Sequence, residues 1–270
     1  MEASRPDLAE RIDRGGISLP TRGNRKLEKL LEAANADGEL AARWYMQQVT
    51  SERLGMSDHS RVHIQIVANI ALRILRLAVR GGIVPGVVTD HGLSERDAEV
   101  VVAAGTLMHD TGMGIHRVDH ESYSLFIADR KLRELLAPIY EEPALTVIAV
   151  EALHCIIGHR RRGEPYTLEA GVVRVADALD MAEGRSRLPV ERGEMGIHAI
   201  SAAAIDSVSI EKGTERPIRV EIKMNNSAGI FQVDDLLATK IRGTPLEGHV
   251  EVIAAVEGET EKRLLREFRI

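Results

Sequence analysis

The adjacent pair His109-Asp110 constrains this chain more than any other feature. Neighbouring side chains can both reach one cation only where the backbone sits at or near a helix end. The rest of a coordination shell must then come from distant parts of the chain. Candidates are His63 upstream and His120, His159 and Asp177 downstream. Imidazole plus carboxylate suits Zn, Fe, Mn, Co or Ni, and a carboxylate can bridge two ions. A paired centre with open coordination positions activates water. The pattern therefore asks for a fold in which separated segments converge around shared cations.

Composition sets the material for that fold. A length of 270 residues suits one large domain, or one domain plus a small one. With three Phe, four Tyr and one Trp, the core must be built from Leu, Ile, Val and Ala, which favours helices. The mildly negative net charge of -6 argues weakly against non-specific nucleic-acid binding, although a local basic cluster can still grip phosphate. The single Cys155 excludes an intramolecular disulfide and fits a reducing compartment. The start, Met-Glu-Ala-Ser-Arg-Pro, has no apolar signal core, and no stretch reads as long and uncharged enough for a bilayer. A cytoplasmic protein without a membrane partner is expected.

Patterning predicts a mainly α chain: a helical bundle over 24–200, a loosely ordered lead over 1–23, and a small α/β module over 201–270. The lead is broken by Pro6, Gly15, Gly16, Pro20 and Gly23. A helix from Lys26 to about Arg53 should break near Asp37-Gly38. Asp58-His59-Ser60 caps the next, which runs through Val67, Ile70, Ile74 and Leu77 to Gly81. Residues 82–92 read as a loop. Ser94-Glu95-Arg96-Asp97 is a capping box. The helix that follows delivers His109 and Asp110 at its C-terminal end, and Gly112 and Gly114 permit a sharp bend. Asp119–Arg130 and Lys131–Tyr140 read as two helices. Pro143 sits in the first turn of a helix reaching His159. Thr167 starts a helix that ends at Gly184. After residue 200, alternation at Val208/Ile210, at Ile218/Val220/Ile222/Met224 and at Val250/Val252/Ala254/Val256 marks strands, with a helix over Val233–Ile241.

A lone histidine on a helix is usually exposed or a satisfied core residue, so the metal reading rests on several placed alike. His63 shares the apolar face of Val67 and Ile70. His109-Asp110 closes an apolar helix, and His159 ends another. Asp177 lies within the apolar run 173–179, where an unpaired carboxylate is costly to bury. Neighbours compete: His59 as the ligand in place of His63, or else as helix cap or pocket wall; His116 if its helix starts early; His154 on a divergent face; and Asp180 as an outer neighbour of the ligands or an exposed residue.

This arrangement resembles the HD-domain metal-dependent phosphohydrolase superfamily. The residues that carry the likeness are His63-Ile-Gln-Ile-Val67-Ala68, His109-Asp110-Thr111-Gly112, His120-Glu121, Ile156-Ile-Gly-His159 and Val175-Ala176-Asp177-Ala-Leu-Asp180, over roughly residues 40–185. The resemblance implies two divalent ions. One takes His63, His109, Asp110 and Asp177; the other takes Asp110 as bridge, His120 and His159. It also implies hydrolysis of a small phosphate-bearing substrate, a nucleotide or another phosphate ester, by an activated water. Arg160, Arg161 and Arg162, Arg117 beside the doublet loop, and more weakly Arg185 are candidate phosphate clamps, or else solvated charges.

Many members of that family carry Lys in the pattern His-Asp-x-Gly-Lys; here the position is Met113, which leaves the reaction subtype open. The Gly-Tyr-Pro segment of the cyclic-di-GMP branch is absent too. Two other readings stand beside hydrolysis: a di-iron oxygenase on the same ligands, and a sensor that binds a metal or nucleotide without turnover. The C-terminal module is expected to dimerise the chain, to cap the substrate, or simply to extend the fold.

Overall fold

The computed structural model describes residues 7–12, 15–160, 163–181 and 197–257. Its helices are α1 (Leu8–Arg11), α2 (Arg25–Ala36), α3 (Gly38–Arg53), α4 (Arg61–Arg80), α5 (Gly86–Thr89), α6 (Glu95–Met108), α7 (His120–Leu136), α8 (Ala144–Gly158) and α9 (Leu168–Leu179). A helix over Ile197–Ala203 leads into strands β1 (Ile205–Lys212), β2 (Ile218–Met224) and β3 (Val250–Val256). The chain is mainly α with a small sheet at its C-terminal side, as the patterning predicts.

The helix boundaries follow local chemistry. Asp37 ends α2 and caps α3, its side chain accepting from Leu40 N at 2.8 Å, so the break near Asp37-Gly38 is a shared cap. Ser94 and Asp97 form the capping box of α6. Thr167 caps α9.

Several expectations need correction. Lys131 does not start a new helix: α7 runs unbroken through it, because its ammonium is buried against Asp37, Glu39 and Glu134 at 2.8, 2.9 and 2.6 Å. Hydrogen bonds from Arg130 first, and then from Lys131, hold the Glu39 carboxyl down at about 2. The 82–92 loop contains the short helix α5, whose Gly86 and Val87 amides both donate to buried Glu169 at 3.0 Å. α9 stops at Leu179 rather than Gly184, which lies outside the described residues. The lead is not loose throughout. Ile17 and Leu19 are buried in the core, and the Ile17 amide donates to Asn35 at 2.7 Å.

Helix α4 is the central element. Its buried residues, from His63 and Ile64 through Val67, Ala71, Ile74 and Leu75, face α6 and α9, and the sheet lies against it through β1 and β2. Contrary to the sequence expectation, this helix is long and apolar enough to cross a membrane, with a mean hydropathy of 1.6 over its best window. Most of that window is buried inside the fold, and Arg76 within it pairs with Glu99 at 2.6 Å. Helices α6 and α8 approach closely at Gly105, where a Cβ would stand 2.6 Å from Cys155 Cβ.

The sheet has the order β1-β2-β3, antiparallel between β1 and β2 and parallel between β2 and β3. Ile218, Val220, Ile222 and Met224 of β2 are all buried at the predicted period of two. Each such side chain contributes roughly 1.5–3 kcal/mol by leaving water. Between β2 and β3 a π-helix, Gln232–Ala238, runs into the single α-turn Thr239–Ile241 and packs on α9.

Candidate metal centre

The doublet is fixed by the way α6 ends. The last carbonyls of a helix have no partners within it. Here consecutive ones are taken by side chains, some from the same turn and some from other helices. His109 Nδ1 meets Thr106 O at 2.8 Å, and Trp44 Nε1 of α3 donates to Leu107 O at 2.9 Å. Thr111 Oγ1 donates to Met108 O at 2.9 Å, and Ser124 Oγ of α7 to His109 O at 2.8 Å. Ser124 Oγ also accepts from Gly112 N at 2.8 Å, which closes the turn over the doublet. The end of α8 is built alike. His159 Nδ1 meets Ile156 O at 2.5 Å, Arg174 donates to Gly158 O at 3.2 Å, and Lys240 Nζ donates to His159 O at 2.5 Å. Two helix C-termini, which carry partial negative charge, thus end at one place.

Around Asp110 the histidines converge in two groups. Asp110 Oδ2 lies 3.5 Å from His63 Nε2 and 3.4 Å from His109 Nε2, and those two nitrogens are 3.3 Å apart. Asp110 Oδ1 lies 3.0 Å from His120 Nε2 and 3.6 Å from His159 Nε2. Each group, His63–His109–Asp110 and Asp110–His120–His159, could hold a metal ion. Donors at roughly 2.0–2.2 Å from one tetrahedral ion stand about 3.3–3.6 Å from each other, which is close to the spacings seen. Asp177 stands just outside the first group, its Oδ1 3.7 Å from His63 Nε2 and 4.0 Å from His109 Nε2. It is half-buried rather than buried as expected, and its Oδ2 faces Lys240 Nζ at 3.7 Å.

Tautomers argue that a cation belongs here. His63 Nδ1 bonds Asp180 Oδ2 at 2.6 Å, while the Nδ1 atoms of His109 and His159 reach carbonyl oxygens. Acceptors on Nδ1 keep the proton there and turn the Nε2 lone pairs inward. Two bare nitrogens 3.3 Å apart, facing a carboxylate, repel unless a positive charge lies between them. His120 Nδ1 has three neighbours, the Arg117 carbonyl at 3.0 Å, the Arg117 guanidinium at 2.8 Å and Glu121 Oε2 at 3.3 Å. Donation to the carbonyl and acceptance from the guanidinium exclude each other, and only the first leaves Nε2 bare.

With no cation between them, the same imidazoles would have to serve Asp110 as charged donors instead. Burial would raise the Asp110 carboxyl, but the charge on His109 and the hydrogen bonds of His109, His120 and His159 hold it well below the carboxylate range. Burial lowers His159 despite Asp110; for His120 burial is again the largest effect, but the bond to Asp110 together with the charges of Asp110 and Glu121 raises it.

The remaining candidates separate cleanly. Asp180 is a partner of His63 and not an exposed residue. Replacing it with alanine is expected to weaken metal retention by roughly 10–100-fold, the usual cost of losing a ligand's hydrogen-bond partner. Chelator competition would measure this, and an unchanged affinity would assign the bond to packing. His59 is a wall residue, buried with its ring 5.3 Å from that of His63; the cap itself is Ser60. His116 is exposed, and His154 stacks on Tyr166 with ring centres 5.0 Å apart, outside both groups. Arg160 is half-buried, its side chain 40% exposed, and pairs with Asp119 at 3.1 Å; Arg117 is exposed beside His120. Arg161, Arg162 and Arg185 lie outside the described residues. Met113, at the position where the resembled family carries lysine, is fully buried. Lys240 and Arg174 escaped the sequence reading; no spacing or motif connects them to the doublet.

Comparison with known proteins gives a consistent picture. The HD domain family matches residues 56–182. An uncharacterized protein, MJ1020, of Methanocaldococcus jannaschii is 39% identical over 207 residues, covering 77% of this chain and 80% of the relative. No solved structure matches.

Proposed function

This chain belongs to the HD domain family, and from that premise we propose that it is a metal-dependent phosphohydrolase or phosphodiesterase acting on a nucleotide or another phosphate ester. The observation that carries the reading is one buried carboxylate, Asp110, whose two oxygens each face a different pair of imidazole nitrogens. A centre of two ions follows, drawn from Mn, Fe, Zn, Ni or Co, with His63, His109, Asp110 and Asp177 on one side and Asp110, His120 and His159 on the other. When bound, such ions polarise a phosphoryl oxygen and acidify a water for attack at phosphorus.

The chain's own residues do the rest. Asp110 keeps the two donor groups at a fixed separation. Asp180 holds the His63 ring in register through Nδ1. Arg160 and Arg117 stand on the rim with Arg161 adjacent in sequence, and a guanidinium matches phosphate oxygens in bidentate fashion. Beside Arg160 a cleft of about 380 Å³ is lined by His154, Ile157, Glu164 and Tyr166. Tyr166 is 81% exposed, and its ring face away from His154 is a surface on which a nucleobase can stack. A homodimer through the C-terminal sheet edge belongs to the same proposal, since unpaired edges pair readily between subunits.

Protein purified without chelator, assayed for metal by elemental analysis and then against a panel of phosphate esters, tests the reading. At least one ester should be cleaved, and chelation should abolish the cleavage. Dioxygen uptake by an iron-loaded protein that cleaves no ester would replace it with oxygenase chemistry.

A further inference from the structure

We propose that Lys240, delivered by the segment between β2 and β3, is the cation that contacts the substrate's phosphoryl group at this centre. The inference rests on the phosphohydrolase reading. Position 113 cannot supply that charge, because Met113 is neutral and wholly buried. Lys240 reaches the centre from the other end of the chain. Its Nζ lies 2.5 Å from the carbonyl oxygen of His159 and 3.7 Å from Asp177 Oδ2. Asp177 therefore has two faces: Oδ1 looks inward to His63 and His109, and Oδ2 looks outward to the ammonium.

The exposure gradient places the mouth of the centre at this point. The side chains of His63 and His109 are 0% exposed, whereas those of Lys240 and Asp177 are 16% and 18% exposed. An anion entering along that gradient meets Lys240 before it meets the imidazoles. An ammonium has three protons. One is given to His159 O; Asp177 Oδ2, at 3.7 Å, is an ion-pair neighbour beyond hydrogen-bond distance, so a proton remains without a protein acceptor among the described residues. A phosphoryl oxygen suits it, since lysine binds phosphate as a compact point charge with rotatable donors.

The placement is also held firmly. Arg174 donates to the carbonyl oxygens of Gly158, Arg160 and Gly163 at 3.2, 2.5 and 2.5 Å, and to Lys240 O at 3.0 Å. One guanidinium thus locks the Lys240 segment to the end of α8 that presents His159. The C-terminal module is then part of the site and not an appendage.

The test uses the full chain loaded with manganese and inorganic phosphate as the probe. Lys240→Met and Lys240→Arg are compared with the parent by calorimetric titration of phosphate, with manganese content measured on the same samples. Lys240→Met should keep its manganese and bind phosphate at least tenfold more weakly, and Lys240→Arg should recover most of the loss. Phosphate binding equal to the parent's overturns the role of Lys240 and leaves the hydrolase reading intact. Loss of manganese in Lys240→Met also overturns it, making Lys240 a positioning residue for Asp177. Failure of the manganese-loaded parent to bind phosphate or cleave any ester removes the hydrolase reading itself. Should Lys240→Met not fold, amine labelling of the parent decides: phosphate should slow acetylation of Lys240, and an unchanged rate overturns the proposal.

Discussion

Asparagine in place of Asp110 is expected to abolish metal retention in both donor groups at once. The parent residue serves the groups through different oxygens, Oδ2 toward His63 and His109, Oδ1 toward His120 and His159. An asparagine amide keeps one oxygen, neutral, and turns a nitrogen that cannot ligate toward the other group. The loss should exceed the roughly 10–100-fold that follows removal of a ligand's hydrogen-bond partner, because a ligand itself is gone. Thermal unfolding measures this without assuming a substrate. A ligand at a hundredfold excess over its Kd stabilises a folded protein by about 2.7 kcal/mol, so added manganese should raise the Tm of the parent and leave that of Asp110→Asn unmoved. Ester cleavage should disappear in parallel. An Asp110→Asn protein with the full manganese-dependent rise in Tm would show that the carboxylate does not bridge, and the two-ion centre would fail with it.

The doublet was legible because its cause is local. His109 and His159 each end an apolar helix, and each returns Nδ1 to the carbonyl three residues back. The spacing of the apolar residues therefore sets both the helix end and the direction of Nε2. Caps at Asp37, Ser94 and Thr167 were readable for the same reason, as was the alternation along β2. What escaped depends on distant partners. Lys131 reads as a break until Asp37, 94 residues away in sequence, is brought against it. Asp180 is legible as an outer neighbour of the ligands, but its partner His63, 117 residues away in sequence, is not. Lys240 carries no local mark at all. Its role comes from the contact of the Lys240 segment with α9 and from Arg174, whose carbonyl partners are scattered over two segments.

Gly112→Ala is expected to be the most damaging alanine replacement among the described glycines, and to damage one donor group before the other. A Cβ at Gly112 would lie 2.0 Å from His120 O, 2.5 Å from Ser124 N and 2.9 Å from Tyr123 Cβ. Two of these are backbone atoms of α7, so no rotamer change relieves the contact, and the start of α7 must move away from the doublet turn. That shift strains the Ser124 bridge to His109 O and Gly112 N and carries His120 off Asp110 Oδ1. Overpacking of this kind costs about 3 kcal/mol or more. In a chain of this size that is a fall in Tm of roughly 6–12 °C. Metal stoichiometry should fall only to about half, because His63 on α4 and His109 at the end of α6 keep their relation to Asp110 Oδ2. Gly114→Ala is the control in the same turn: its Cβ would meet Met46 Cβ at 3.1 Å, and the expected change is small. Equal behaviour of the two variants would mean that the glycine after the doublet serves only to bend the chain. A loss confined to Gly112→Ala, with about half the parent's manganese retained, would tie the close approach of α7 to the second ion.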